Sequence, residues 1–447
     1  IDRLGELGMN LYVPAPKDDP LHRERWRETP PAEELERFAE LVARGRGVGV
    51  TIGCALSPGL SIRYSSAADV RALVEKLRLN TGLGAGFAAL CLDDVPTELA
   101  HAEDRGAFAS LADAHVSLAT AVREALPPEV TLWVAPTDYA GTEASDYAAT
   151  LGAALAPEIE LAWTGRTTIP PTIPADEAAA RARLLGRKLL LWDNVPVADG
   201  PMRTMLHLGP YLGRDPGLVD SLSGVLLNPM QQARASYVAI AGAAAWLADP
   251  AGFDPEASWR DAVRRLGTGA PAAFETFAAA HRFSPLSPTD RDPALERAWR
   301  SHREGGDTAL PALLEDRIAA GNALRAGLDD RRLLAEIEPW LAGHERESRR
   351  MAAAVELLEA LRTPGTSLDR CLAFVRFEGR LTRNAPAATT SYGPRRVLYP
   401  QLRGLWQGEA RFADDPALYR DRCLADEMVR AAEAEAERVL GAKPAGE

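Results

Sequence analysis

Two adjacent aspartates, Asp93 and Asp94, close the apolar run Phe87–Leu92. A continuous apolar run of this length is typical of a strand covered on both faces, so both carboxyls would lie where that strand ends. Like charges so close together disfavour the doubly ionised state. One carboxyl would then donate a proton while the other stays ionised, which is the division of roles that acid–base catalysis needs. By itself, the pair is also typical of a solvated turn in which an aspartate caps the next helix.

Further polar and aromatic side chains stand at the ends of other strand-like runs. They are Lys17, Tyr139, Thr164, Trp192, Asn194, Asp199 and Asn228. Three of them also have a purely structural interpretation. Trp192 would fit in a hydrophobic core, Asn228 would fit in a turn, and Lys17 would fit on a solvated surface. A (β/α)8 barrel, however, brings the carboxyl ends of all its strands to one face. Carboxylates, amides and aromatic rings around one cavity suit a sugar.

The first 250 residues alternate between strand-like runs and helical patterns, which predicts parallel βαβ units. The runs are Met9–Val13, Gly47–Ile52, Phe87–Leu92, Val130–Val134, Ile159–Trp163, Lys188–Trp192 and Gly224–Leu227. The helical patterns between them include Ala32–Arg44, Ala67–Leu79, Gly106–Ala125 and Ala175–Leu185. We therefore predict an α/β fold, a (β/α)8 TIM barrel with seven of its strands present. Because Ile1–Leu7 has the pattern of a helix tail, we expect the strand missing from this chain to be the first.

After residue 250 the strand patterns stop and amphipathic helices follow. These helices are predicted at Trp259–Leu266, Ala272–Arg282, Ala294–His302, Ala309–Gly327, Arg331–Leu361 and Leu418–Leu440. The stretch from Ala385 to Asp414 favours no regular element. The sequence therefore predicts two domains, a catalytic barrel at residues 1–250 and an all-α helical bundle at residues 251–447.

Composition narrows the range of partners. The chain has 447 residues, with 63 acidic and 51 basic side chains and a net charge of −12. This balance argues against nucleic acid and against an anionic membrane surface, since both favour clustered positive charge. The longest uncharged apolar stretch, Tyr237–Ala248, is shorter than the roughly 20 residues of a membrane span. His22, His101 and His207 lack metal-ligand spacing, so we expect no metal and no other cofactor. The sequence leaves compartment and oligomeric state open.

A series of sequence blocks stands at successive strand ends. The blocks are Leu7–Tyr12 with Ala15–Pro20 and His22-Arg23, then Ser57–Leu60, Leu92–Asp94, Pro136–Tyr139, Trp163–Gly165, Leu191–Asn194 and Leu227–Pro229. In this order they resemble glycoside hydrolase family 84, from residue 4 to about residue 265. Members of that family are β-N-acetylglucosaminidases, among them the O-GlcNAcases and some bacterial enzymes named hyaluronidases. The later helical region resembles the bundle of the bacterial members only loosely.

The resemblance implies a retaining, substrate-assisted hydrolysis through an oxazoline intermediate. Asp93 would orient and polarise the 2-acetamido group of the sugar, and Asp94 would act as general acid and then as general base. Tyr139 and Asn194 would hold the acetamido oxygen and the reacting centre. Neighbouring carboxyls suit this scheme, because a protein nucleophile needs two carboxyls on opposite sides of the anomeric carbon.

The resemblance also implies which residues bind the substrate. Thr164 and Trp192 would wall the acetyl pocket, while Lys17, Asp199 and Asn228 would bind the hydroxyls of the sugar. The implied partners are glycans or glycoproteins that carry terminal β-linked N-acetylglucosamine. Two alternatives stay open: a catalytically impaired carbohydrate-binding or scaffolding protein on the same barrel, and an enzyme that cleaves glycosaminoglycans such as hyaluronan.

The chain departs from the family pattern in three places. Ser61 stands where members commonly have aspartate, and Ala135 replaces another small residue at the acetyl pocket. The first barrel strand of the family, with its Glu-Gly-Phe-Tyr-Gly type of motif, has no counterpart in this sequence. A barrel without that strand is expected to have two unpaired sheet edges.

Overall fold

The computed structural model describes residues 1–306, 309–384 and 424–441. The chain divides into two compact units. Unit 1 comprises Ile1–Asp193 and Gly213–Leu226, and unit 2 comprises Asn194–Leu212 and Leu227–Glu447. The domain boundary at residue 250 stays a prediction.

A parallel sheet forms the centre of unit 1. Its strands are β1 (Leu11–Tyr12), β2 (Thr51–Leu56), β3 (Phe87–Cys91), β4 (Thr131–Ala135), β5 (Glu160–Trp163), β6 (Leu189–Asp193) and β7 (Leu222–Leu227). These seven strands of the described chain lie side by side in sequence order, and the pairs from β1 to β6 are parallel. Sequence order with parallel pairing is the arrangement of a (β/α) barrel wall.

One helix precedes these strands and others connect them. They are α1 (Asp2–Glu6), α2 (Ala32–Gly47), α3 (Ala67–Gly82), α4 (Ala102–Ala107), α5 (Leu111–Ala125), α6 (Asp146–Ala154) and α7 (Ala175–Leu185). Serine side chains cap the N-termini of α3, α5 and α6 by accepting a backbone N–H three residues on. Such caps fix where a helix starts and so set the length of the loop that follows each strand.

Small side chains fill the inner face of the sheet. Ala55, Ala89, Ala135 and Ala162 pack there around Trp133. Because side chains alternate across a strand, the larger residues between them point the other way, towards the helices. The alternation is what leaves room at the carboxyl ends of the strands for polar groups.

Unit 2 is helical where it is described beyond residue 236. Its helices are α8 (Tyr237–Ala248), α9 (Pro255–Leu266), α10 (Pro271–Ala280), α11 (Pro293–Arg303), α12 (Ala309–Gly327), α13 (Arg331–Arg362), α14 (Ser367–Arg383) and α15 (Leu424–Leu440). The long α13 packs against α12, α14 and α15. None of the described helices has the length and apolar character to cross a bilayer.

Most predicted elements are confirmed, with shifted ends. The second strand was expected at Gly47–Ile52 but lies at Thr51–Leu56, because α2 continues to Gly47 and the chain then turns at Gly49 with φ +77°. The helix expected at Gly106–Ala125 is two helices, since Ser110 caps a new start. Helices α6 and α14 were missed, and residues 418–423 of the last predicted helix and the unassigned stretch 385–414 lie outside the described residues.

Candidate active site

Asp93 and Asp94 follow directly on the end of β3. Phe87 and Cys91 face the inner side of the sheet, so the alternation of the strand carries Asp93 to the same side. Asp93 is 5% exposed. Asp94 adopts a left-handed backbone conformation with φ +53°, which is uncommon for a residue with a side chain and ends the strand abruptly. The turn separates the two carboxyls: the side chain of Asp94 is 48% exposed.

Lys17 joins the two carboxyls. Its Nζ lies 2.5 Å from Oδ2 of Asp93 and 2.6 Å from Oδ2 of Asp94. Burial disfavours the charge of Lys17, but attraction and hydrogen bonds from Asp93 and Asp94 outweigh it and raise the pKa of Lys17. Lys17 therefore stays protonated between the two acids at neutral pH.

The two acids also differ in their remaining hydrogen bonds. Oδ1 of Asp93 is buried and has no hydrogen-bond partner within the described part of the chain. Such an orphaned acceptor costs free energy unless a ligand or water supplies a donor. The backbone oxygen of Asp94 accepts a hydrogen bond of 3.4 Å from Nη2 of Arg23.

The loop after β2 lies against the loop after β3. A Cβ placed on Gly59 would collide with Val95, which directly follows Asp94. Leu60, the next residue, is 52% exposed. The two loops therefore touch at Gly59, where a larger residue would have to displace the side chain of Val95.

Tyr139 and Thr164 are linked through their backbones. The N–H of Thr164 donates to the carbonyl of Tyr139 over 2.9 Å. Burial raises the pKa of Tyr139, its hydrogen bond with Thr168 opposes this, and the charges of Asp94 and Asp93 raise it further. The phenol is thus a neutral hydrogen-bond donor at neutral pH. The buried Thr164 turns its hydroxyl to the carbonyl of Thr167, at 2.9 Å.

Trp192 lies near the end of β6. Its ring meets that of Trp133 edge to face, with the ring centres 5.5 Å apart. The next residue, Asp193, forms an ion pair with Arg214 in which both carboxylate oxygens accept hydrogen bonds. This pair anchors the end of the strand that carries Trp192.

Three predicted site residues belong to unit 2. Asn194 is buried, and its Oδ1 accepts a hydrogen bond of 2.9 Å from Nδ2 of Asn228. Asp199 is exposed and precedes the short 3-10 turn Gly200–Met202. The structure therefore brings Asn194 and Asn228 together within unit 2, as it brings Lys17, Asp93 and Asp94 together within unit 1.

Sequence reasoning missed several residues that hold the site. Arg23 and Thr137 stand in matching sequence blocks but were given no role, and Thr168 and Arg214 were not candidates. A polar residue one or two positions beyond a strand end is the signal that could have marked Thr137. Nothing local marks Arg214, since its partner Asp193 lies 21 residues earlier. Among the residues that the structure describes, no three histidines, cysteines or acids cluster as metal ligands would.

Ser61 has a structural role. Its Oγ accepts hydrogen bonds from Nε1 of Trp26 at 3.0 Å and from Nη1 of Arg27 at 3.1 Å. Asp69 holds the same guanidinium through two oxygens. The carboxylate that Arg27 needs therefore comes from Asp69, and a serine suffices at position 61.

Comparison with known proteins gives relatives of one kind. The sequence model of the family described as NAGidase, beta-N-acetylglucosaminidase, matches residues 1–279. Proteins named O-GlcNAcase from Rattus norvegicus and Mus musculus are each 36% identical over 250 residues, or 55% of this chain. The match spans only 27% of the length of each of these curated relatives.

Solved structures resemble the chain over most of its length. A mutant of the O-GlcNAc hydrolase of Thermobaculum terrenum has a TM-score of 0.78 at 26% identity and covers 98% of this chain and 92% of its own. The protein CpGH84B has a TM-score of 0.77 at 24% identity over 90% of this chain and 72% of its own, a likeness of fold alone.

These likenesses confirm the predicted TIM-type barrel followed by a helical region. They also confirm the resemblance to glycoside hydrolase family 84. The matched residues 1–279 contain all the candidate site residues named from the sequence. The chain belongs to the β-N-acetylglucosaminidase family of glycoside hydrolases.

Proposed function

We propose that this protein hydrolyses terminal β-linked N-acetylglucosamine from glycoproteins or other glycoconjugates, with retention of configuration. The O-GlcNAcases and the O-GlcNAc hydrolase among its relatives act, by their names, on such a sugar.

In the first step the carbonyl oxygen of the substrate's own acetamide attacks C1, and the bond from C1 to the leaving oxygen breaks. Asp94 gives its proton to that oxygen, and Asp93 accepts a hydrogen bond from the acetamide N–H as positive charge develops there. In the second step water attacks C1 and gives a proton to Asp94, and the bond from C1 to the oxazoline oxygen breaks. Two inversions at C1 give net retention.

One observation carries this proposal: Asp93 and Asp94 both contact a single ammonium, that of Lys17. These two carboxyls leave one strand end and share one cation, whereas a protein nucleophile and its acid partner must lie on opposite sides of the anomeric carbon. The buried Oδ1 of Asp93, which has no hydrogen-bond partner among the described residues, supports the same interpretation, since it is an acceptor suited to an acetamide N–H. A neutral Tyr139 is a suitable donor to the acetamide oxygen.

Lys17 has a place in the sequence of events. An ammonium beside a carboxyl favours the ionised form, whereas a general acid must carry a proton. Lys17, which donates to Asp94 over 2.6 Å, is therefore proposed to turn from Asp94 to the hydroxyls of the sugar, which Lys17, Asp199 and Asn228 would bind. Trp192 and Thr164 are proposed to wall the acetyl pocket, and Asn194 to hold the reacting centre with Tyr139.

The proposal is tested with aryl β-N-acetylglucosaminides and their fluoroacetyl analogues. Asp94→Asn should lower kcat by about 10²–10⁴-fold on a poor leaving group and far less on an activated one. Asp93→Asn should slow both. Fluorine withdraws electrons from the attacking carbonyl, so wild-type kcat should fall with each fluorine added.

Asp220→Asn serves as a matched control, because Asp220 is an exposed aspartate of the same unit. Equal rates for the acetyl and fluoroacetyl substrates would rule out substrate assistance. Wild-type rates in both Asp93→Asn and Asp94→Asn on an unactivated substrate would overturn the roles. Binding of N-acetylglucosamine without any turnover would favour a carbohydrate-binding protein instead.

A further inference from the structure

The backbone of Leu92, directly before Asp93, is held by the last residue of β4 and by the second residue beyond it. The N–H of Leu92 donates to the carbonyl of Ala135 over 2.8 Å, and the carbonyl of Leu92 accepts a 2.8 Å hydrogen bond from Oγ1 of Thr137. That carbonyl and the nitrogen of Asp93 belong to one planar peptide group. The hydroxyl of Thr137 therefore fixes the plane from which the side chain of Asp93 projects.

At Thr137 a side-chain hydrogen bond to Leu92 takes the place of the backbone hydrogen bond that would continue the pairing of β3 with β4. In a parallel pair whose Leu92 N–H bonds Ala135, the N–H of residue 137 would bond the Leu92 carbonyl. Here that N–H donates instead to the hydroxyl of Tyr147, over 3.2 Å. The side-chain hydroxyl of Thr137 also contacts Tyr147. The last link of the sheet before the acids thus depends on Thr137 and on what holds it.

A buried chain of hydrogen bonds continues behind Tyr147. The hydroxyl of Tyr147, in α6, lies 2.7 Å from Nδ1 of His115, in α5, and Nε2 of His115 lies 2.9 Å from the hydroxyl of Tyr64. His115 is 1% exposed. Burial lowers the pKa of His115 to about 3 and raises that of Tyr147 to about 12, so both are neutral at ordinary pH.

A neutral imidazole has one donor and one acceptor, and each of its two nitrogens here meets a hydroxyl that can do either. The chain is therefore satisfied at both ring nitrogens. Satisfied buried networks are rigid, whereas the loss of one member leaves the others unpaired in a medium where that is costly. A rigid chain between α5, α6 and the end of β4 gives Thr137 a fixed position.

We propose that Thr137, held by Tyr147 and His115, is a positioning residue that sets the direction of Asp93 and, one peptide further, of Asp94. The inference rests on the proposed function, because it assigns Thr137 to the catalytic step of that reaction. Thr137 touches the backbone before the acids and none of the reacting atoms.

The decisive variant is Thr137→Val, which keeps the shape of the side chain and removes the hydroxyl. We expect kcat to fall about tenfold to a hundredfold, as small misplacements of catalytic groups do, with little change in KM. The loss should appear with both poor and activated leaving groups, because Asp93 acts on both, and it should be larger with a poor one, for which proton donation by Asp94 also suffers. Thr137→Ser, which keeps the hydroxyl, should restore both kcat and the leaving-group dependence.

Thr150→Val is the matched control, because the half-buried Thr150 also donates to a backbone carbonyl, that of Asp146 in α6. It should leave kcat and the leaving-group dependence unchanged. Tyr147→Phe should lower kcat by a smaller factor than Thr137→Val, because the bond from Thr137 to Leu92 survives it. Tyr147→Phe also keeps the test decisive if Thr137→Val does not fold.

The outcomes separate the two proposals. Wild-type kcat and leaving-group dependence in Tyr147→Phe and Thr137→Val would overturn the positioning role while leaving the proposed function intact. A loss of thermal stability in these variants with no change in kcat would also overturn it, since that is the result of a purely structural network. An inactive wild-type protein would overturn the proposed function, and the positioning role with it.

Discussion

Asp93 and Asp193 are buried aspartates at the carboxyl ends of two strands of one sheet, β3 and β6, and they are held in different ways. Asp193 is paired through both oxygens with Arg214, and the two side chains are 1% and 2% exposed. Asp93 contacts Lys17 through one oxygen, and its other oxygen has no hydrogen-bond partner in the described chain. Asp193 thus forms an ion pair in which both carboxylate oxygens are bonded, which we call closed. Asp93 forms one that leaves an oxygen without a partner in the described chain, which we call open.

The partners explain the difference. A guanidinium is planar and matches both oxygens of a carboxylate at once, which fixes the geometry. An ammonium is a compact point charge on a flexible stem, and Lys17 divides its donors between two acids. The closed pair therefore serves the fold, whereas the open pair leaves an acceptor and a movable cation for a ligand. A buried acid at a strand end indicates chemistry only when its hydrogen bonds are incomplete.

The largest effect is expected from Asp193→Ala. Removing one partner of a buried ion pair leaves the other charge uncompensated, so Arg214 should make this variant less stable by about 3–5 kcal/mol. Asp93→Ala should change the free energy of unfolding by about 1 kcal/mol or less, because it removes a like charge beside Asp94 and leaves a partly exposed lysine. Urea denaturation of both variants measures the difference. Equal losses of stability in the two variants would contradict the distinction between the two ion pairs.

A smaller effect is expected from Lys17→Met. A hydrogen bond to a charged group contributes about 1.5–3 kcal/mol, so losing the cation that is proposed to bind the sugar should raise KM about tenfold or more. The effect should shrink in an Asp93→Asn background, because the two residues contact each other and act as a unit. The exposed Lys188, changed to Met, is the matched control and should leave KM unaltered. An unchanged KM in Lys17→Met would place the lysine outside substrate binding.

The smallest effect per group is expected from the protonation of single buried histidines, and it acts on both units. Burial lowers the pKa of His115 in unit 1 and of His281 in unit 2 to about 3, and that of His207 in unit 2 to about 4. Below the ordinary pKa of 6.5 the unfolded chain binds protons that the folded chain refuses. Stability should therefore be highest above pH 6.5 and fall as the pH is lowered towards 4.

The expected slope is about 1 kcal/mol per pH unit for each buried histidine. Urea midpoints measured between pH 7 and pH 5 test this expectation. His101→Ala, which removes a half-exposed histidine, should leave the slope unchanged. A midpoint that stays constant over this range would show that the buried histidines do not resist protonation as their surroundings require.

Much of the fold could be predicted from the sequence, because buried parallel strands are continuous apolar runs with polar residues at their ends. The placement of Asp93 on the inner face follows from the alternation that begins at Phe87. The position of β2 could not be predicted as well, since the apolar residues of Val48–Leu56 continue across the turn that separates α2 from the strand.

The supporting contacts were beyond the sequence for a different reason. Thr137 and Leu92 are 45 positions apart, and Arg23 and Asp94 are 71 apart. Which residues meet across such separations is decided by how the whole sheet assembles, and not by any local pattern. The contact of Lys17 with both acids was likewise not foreseen, although the residue itself was named as a candidate.

The close fit of Gly59 against Val95 constrains how this enzyme family member could diversify. A methyl group at position 59 would have to displace the side chain of Val95, so a substitution there would act on the loop that carries Asp94. The next side chain, Leu60, projects into solvent and is free to vary in size and polarity. Tolerance to mutation therefore changes abruptly across a single peptide bond, and directed evolution of substrate preference would do better to begin at residue 60 than at its neighbour.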